Sequence, residues 1–140
     1  MKKTLSVLTV LAICAITFTA SAQRFGTGLA NQDNTGRQLT YGSLAPAYSA
    51  TITIAPRMYE TIIKPATLTG AMTVNANEGG AKKYDRLVFI FTSDGTGRVV
   101  TFGTNFIVYG TLTLIASKQG TVTFIYDGTN YVELSRTIQQ

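Results

Sequence analysis

The chain of 140 residues has no histidine, no tryptophan, three prolines and one cysteine. Lacking histidine, it cannot build an imidazole general base, a Ser-His-Asp triad or a histidine-ligated zinc site. Its one cysteine, Cys14, sits in an apolar run near the N-terminus. That run has the form of an export leader. Lys2 and Lys3 supply the basic start, Leu5 to Phe18 the apolar stretch, and Ala20-Ser21-Ala22 the small-residue cleavage pattern. Residues 1–22 therefore read as a signal peptide, with Gln23 as the expected mature start and an extracellular, cell-surface or periplasmic destination. Cys14 leaves with the leader, so the mature chain has no thiol and no disulfide to support it in an oxidising compartment. It must be stabilised by its core, by association with other copies, or by both.

Charge is also sparse. Seven carboxylates are present, and no two fall within three positions of each other. This rules out a D-x-D run and an EF-hand loop. Asp94 and Asp127 each precede glycine, a hairpin-turn signal. Asp94-Gly-Thr-Gly-Arg98 has the spacing neither of a phosphate loop nor of an aspartic-protease loop, and it too reads as a hairpin. The basic residues are scattered, with only Lys82, Lys83 and Arg86 close together. A nucleic-acid reader would carry a denser basic stripe, so no such partner is expected. No catalytic residue, metal or cofactor is expected either.

What the chain has in quantity is strand-forming sequence. Residues 23–48 are polar and rich in Gly and Asn, and read as an N-terminal arm. Residues 49–140 read as a β-domain. Thr51 to Ile54 alternates and is stopped by Pro56; Tyr59 to Ile63 is stopped by Pro65; Leu68, Met72 and Val74 are in phase. Leu87 to Phe91 carries apolar residues on both faces, which predicts a central strand or one buried against a partner subunit. Leu112, Val122 and Val132 recur at ten-residue intervals, as in antiparallel strands joined by short turns. The expected fold is all-β, an antiparallel β-sandwich or jelly-roll-like domain of about eight to ten strands, and the expected assembly is a homo-oligomer.

Two short repeats punctuate this pattern. Thr35-Gly-Arg-Gln-Leu-Thr-Tyr-Gly42 matches Thr96-Gly-Arg-Val-Val-Thr-Phe-Gly103 at five of eight positions. Gly103-Thr-Asn-Phe106 echoes Gly128-Thr-Asn-Tyr131. Turn-then-strand chemistry accounts for both, and their uneven spacing does not declare a solenoid. For contact with a ligand or surface, the candidates are Tyr131, Tyr109 and Arg98. Alternation sets Tyr131 on the face opposite Val132 and Leu134, so exposure or a subunit contact is expected for it.

The segment Asp127-Gly-Thr-Asn-Tyr-Val-Glu-Leu-Ser-Arg136, with the block before it, resembles the β-rich ends of bacteriophage tail-fibre, spike and head-fibre proteins. The resemblance covers Asp85 to Thr137. It implies a non-catalytic β-module, often trimeric, serving for attachment or as a virion surface appendage. Tyr131 stands where tryptophan is frequent in that pattern, and the leader fits a bacterial export product. The expected function is a structural or attachment protein of a virion or bacterial surface, whose partners are a cell-surface glycan or a surface protein. The alternative is a secreted glycan-binding module, with its sugar stacked on tyrosines.

Overall fold

A computed structural model describes residues 40–140, which form ten strands and no helix. The leader, Cys14, Asp33 and residues 23–39 of the expected arm lie outside the described residues. The strands are β1 (Tyr41–Leu44), β2 (Thr51–Ile54), β3 (Glu60–Ile63), β4 (Met72–Ala76), β5 (Arg86–Thr92), β6 (Arg98–Phe102), β7 (Phe106–Ile107), β8 (Leu112–Leu114), β9 (Gln119–Tyr126) and β10 (Tyr131–Ile138). β1 lies ahead of the boundary expected at residue 49 and pairs with β3, so that part of the stretch belongs to the sheet.

The strands make two sheets, one of six in the order β1-β3-β5-β9-β10-β7 and one of four in the order β2-β4-β6-β8. From β1 to β6 the chain alternates between them. β1, β3 and β5 stack in parallel in one sheet, and β2, β4 and β6 stack in parallel in the other. This winding is a short β-solenoid of three coils. The C-terminal strands then close it with antiparallel pairs: β8 on β6, β9 on β5 and β10 on β9.

The all-β expectation holds, and the purely antiparallel sandwich does not. A strand that buries one face alternates in the same way whether its neighbour runs parallel or antiparallel, so the period-two pattern carries no direction. The Asp94-Gly turn is corrected for the same reason. It is a corner between sheets rather than a hairpin, because β5 pairs with β3 and β9 whereas β6 pairs with β4 and β8. Of the strands in ten-residue register, β9 and β10 do form a hairpin, while β8 lies in the other sheet.

The core lies between the sheets. Ile52, Val74, Val100, Phe102, Leu112 and Leu114 point inward from the four-stranded sheet. They meet Ile63, Leu87, Phe89, Phe91, Val122 and Phe124 of the six-stranded one. Phe102 bridges the two layers, with ring centroids 5.5 Å from Phe89 and 4.8 Å from Phe124. Edge-to-face contacts of this kind add about 0.5–1.5 kcal/mol per pair beyond the burial of the rings.

The shorter sequence repeat has a structural counterpart. Both Gly-Thr-Asn turns lead an aromatic residue into the start of a strand, and those strands run parallel with Phe106 beside Tyr131. The rings are 5.7 Å apart, and Tyr131 N–H donates to the Asn105 carbonyl. Of the longer repeat's first copy, residues 35–39 lie outside the described residues, and its described end differs from its match. Tyr41 opens β1 and is exposed, whereas its counterpart Phe102 closes β6 in the other sheet and is buried.

Candidate functional site

The end of the molecule built by β7, β10 and the loop between β7 and β8 holds two of the three candidate residues. Tyr131 N–H and the β-pairing of Tyr131 with Phe106 fix β7 against β10. The chain then leaves β7 and passes Val108, Tyr109 and Gly110 before entering β8. Gly110 has φ +99°, a left-handed conformation that a side chain would disfavour.

A buried ion pair pins this loop. Glu133 is only 2% exposed. Arg136 Nε donates to Glu133 Oε1 at 2.5 Å, and Arg136 Nη2 donates to Oε2 at 2.6 Å. The same guanidinium donates to the carbonyls of Thr111 and Gly110, and Tyr109 N–H donates to Glu133 Oε2 at 3.0 Å. Arg136 thus reaches the loop from one side while Glu133 holds it from the other. The hydrogen bonds from Arg136 keep the Glu133 carboxyl below its ordinary range; burial opposes them, and the Tyr109 N–H adds to them. Residues three apart on a regular strand face opposite ways. Here the β-bulge between Glu133 and Ser135 brings Glu133 and Arg136 together.

Tyr109 is displayed by this clamp, with 82% of its surface exposed. Tyr131 is the opposite case and a correction. It is fully buried, its ring set 5.0 Å from Tyr126 and 5.7 Å from Phe106. The alternation along β10 is as expected, but the faces are exchanged: Tyr131 and Glu133 point inward, Val132 and Leu134 outward. Glu133 can take the inner position because Arg136 and the Tyr109 N–H satisfy its carboxylate. Burial is the main reason the Tyr131 phenol is pushed well above its ordinary value, with Asp85 the next contributor. Its hydroxyl has no hydrogen-bond partner among the described residues.

Arg98 belongs to another region. It opens β6, and its guanidinium grips Asp94 through two bonds, Nε to Oδ1 at 2.9 Å and Nη2 to Oδ2 at 2.6 Å. Asp94 also accepts the Thr96 N–H. The Arg98 bonds hold the Asp94 carboxyl below its ordinary range, against desolvation. No hydrogen bond, ion pair or ring contact joins Arg98, Tyr109 and Tyr131 to one another.

The remaining described carboxylates have local structural partners. Asp127 Oδ1 accepts the N–H groups of Thr129 and Asn130, closing the β9–β10 turn, where Gly128 has φ +112°. Those backbone bonds lower its pKa. Asp85 Oδ2 accepts the Lys82 N–H, Glu78 accepts the Tyr126 hydroxyl at 3.0 Å, and Glu60 lies 3.4 Å from Arg86. Among the described residues no cluster of three or more potential metal-ligating side chains occurs.

No protein-family model matches the chain, and neither does any curated protein.

The clamp is a structural feature that the sequence pattern does not announce. Its trace there is a Glu-x-x-Arg pair near the end of a strand, which regular alternation assigns to opposite faces and which only a bulge reconciles.

Proposed function

We propose that the domain is a non-catalytic structural and attachment module of a virion or bacterial surface, exported by its leader and built like a fibre or decoration domain. The observation that carries this reading is the use made of the described acidic groups. Asp94 and Asp127 shape turns, Glu60 and Glu78 join neighbouring elements, and Glu133 is committed to holding a loop in place. Such side chains serve rigidity and display. The likeness of Asp85 to Thr137 to phage fibre segments supports the same reading. Fractionation of the producing culture, followed with an antibody to the chain, tests it. The protein is expected to sediment with virions or with the cell envelope. Recovery only as free protein in the medium would overturn the proposal.

A second reading, a secreted glycan-binding module, draws on one feature: the clamped, exposed ring of Tyr109. A flat aromatic face held on a fixed loop suits stacking against a sugar at low entropic cost. Saturable binding on a glycan array, lost in Tyr109→Ala, would favour it.

A further inference from the structure

Among the described residues nothing covers the outer face of the six-stranded sheet, which carries a patch of aliphatic side chains. Register partners share a face, so the pairs Ile107–Val132 and Val132–Ile125 continue one row across β7, β10 and β9. In the adjacent row Ile62 lies beside Val88. Ile107 and Leu134 are each more than half exposed, while Val88 and Ile125 are half-buried with no second layer above them among the described residues. The other polar residues on the paired strands of this face include Thr92, Thr121, Thr123, Ser135 and Thr137, with Gln119 at its edge. Its ion pair, Glu60–Arg86, is neutralised within the face.

The four-stranded sheet provides an internal control. The outer face of that sheet is mostly threonine: Thr51, Thr73 and Thr101 form one cross-strand row, and Val99 beside Thr113 is the aliphatic residue on it. Isoleucine and valine at the corresponding outward positions of the other sheet mark a surface meant to be covered.

We propose that a second copy of this chain covers it. Six strands about 4.8 Å apart, along the roughly 20 Å length of β5, give a footprint of about 500 Å² per copy, or about 1,000 Å² in total. That reaches the lower bound of a specific protein–protein interface, about 1,000 Å². An apolar centre among hydroxyl side chains, with the Glu60–Arg86 pair beside it and exposed Lys64 at its margin, has the mixed composition of such an interface. A groove for a small ligand would need concavity. The two described clefts lie elsewhere, at the β1–β2 end, one lined by Leu44, Pro56 and Met58 and the other by Leu44, Pro46 and Ile54. Self-association deepens the structural reading, and the two can fail separately: sedimentation in the culture tests location, and mass in solution tests the interface.

The experiment is analytical ultracentrifugation of the full chain over a concentration series, beside Val88→Thr/Ile125→Thr/Val132→Thr and Thr101→Val. Threonine is what the other face carries in strand, so the triple variant should retain the fold, which circular dichroism checks. The wild type is expected to associate in the micromolar range, and the triple variant to weaken association by about 30-fold or more. Thr101→Val should leave association unchanged. Should the triple variant unfold, Val88→Thr alone gives the reading, with a loss of about threefold or more. A wild-type monomer up to about 1 mM, or association that the folded variants leave unchanged, would overturn the proposal.

Discussion

The two outer faces of this domain are built from strands of the same kind and end up chemically opposite. On the four-stranded sheet, β2 presents Thr51 and Thr53 outward, β8 presents Thr113, and β6 presents Thr101 with one aliphatic residue, Val99. On the six-stranded sheet, β5 presents Val88 and Ile90, and β9 presents Ile125 after Thr121 and Thr123. The inner faces are alike, both aliphatic and aromatic. Strand propensity is satisfied equally by threonine, valine and isoleucine, so local structure is indifferent to the choice. The difference therefore reports what each face meets: water on one side, and, on our proposal, another copy on the other.

Both faces depend on one core, and the largest effect is expected there. Phe102→Ala removes the ring that bridges the sheets and should cost about 3–5 kcal/mol in denaturant unfolding. If the two faces belong to one cooperative unit, every probe should report a single transition. Separate transitions would mean that the sheets unfold independently and would break the comparison.

The clamp comes next. Glu133→Gln weakens the bidentate bond to Arg136 and the hold on the Tyr109 loop, an expected loss of about 2 kcal/mol at neutral pH. The pH dependence has a definite sign. Because the folded-state carboxyl titrates below its ordinary 4.5, its stabilisation is present above that value and is lost as pH falls through the depressed folded value. Glu133→Gln should remove part of the acid sensitivity below pH 4.5, measured as unfolding free energy against pH.

A smaller effect of opposite sign is expected at Tyr131. Its hydroxyl is buried without a partner among the described residues. Tyr131→Phe should raise stability by about 1 kcal/mol. Its raised pKa also predicts that wild-type stability falls as pH rises above the ordinary tyrosine value of 10, because the unfolded phenol ionises first. In Tyr131→Phe that alkaline loss should shrink. A destabilised variant would mean that the hydroxyl has a partner, such as a bound water.

The smallest effect sharpens the comparison itself. Thr101→Val on the solvated face should change stability by no more than about 0.5 kcal/mol and should lower solubility only slightly. A large destabilisation would show that the threonine row contributes cross-strand hydrogen bonds and is more than a water-compatible surface.

Much of the fold could be read from residues. Ile52 and Ile54 in phase located β2, Pro56 and Pro65 bounded the early strands, and the two apolar faces of Leu87 to Phe91 marked β5 as interior to its sheet. Asp127-Gly128 correctly announced a hairpin. The candidate site was less legible. Tyr109 emerged exposed, but Tyr131 and Arg98 were already committed, one to the core and one to Asp94. Alternation divides a strand into two faces without naming the inner one, and along β10 the apolar pair Val132 and Leu134 pointed to the wrong choice.

By itself the sequence determined an all-β chain in which turn chemistry, proline stops and period-two burial set the strands, because each of these acts over a few neighbouring residues. Tertiary structure alone decided the parallel winding of β1 to β6, the corner at Asp94-Gly95 and the buried Glu133–Arg136 clamp. Strand direction and the burial of a charge depend on partners far away in the chain, and no local pattern encodes them. The outer face of the six-stranded sheet became recognisable only once those distant strands had brought Ile62, Val88, Ile125 and Val132 side by side.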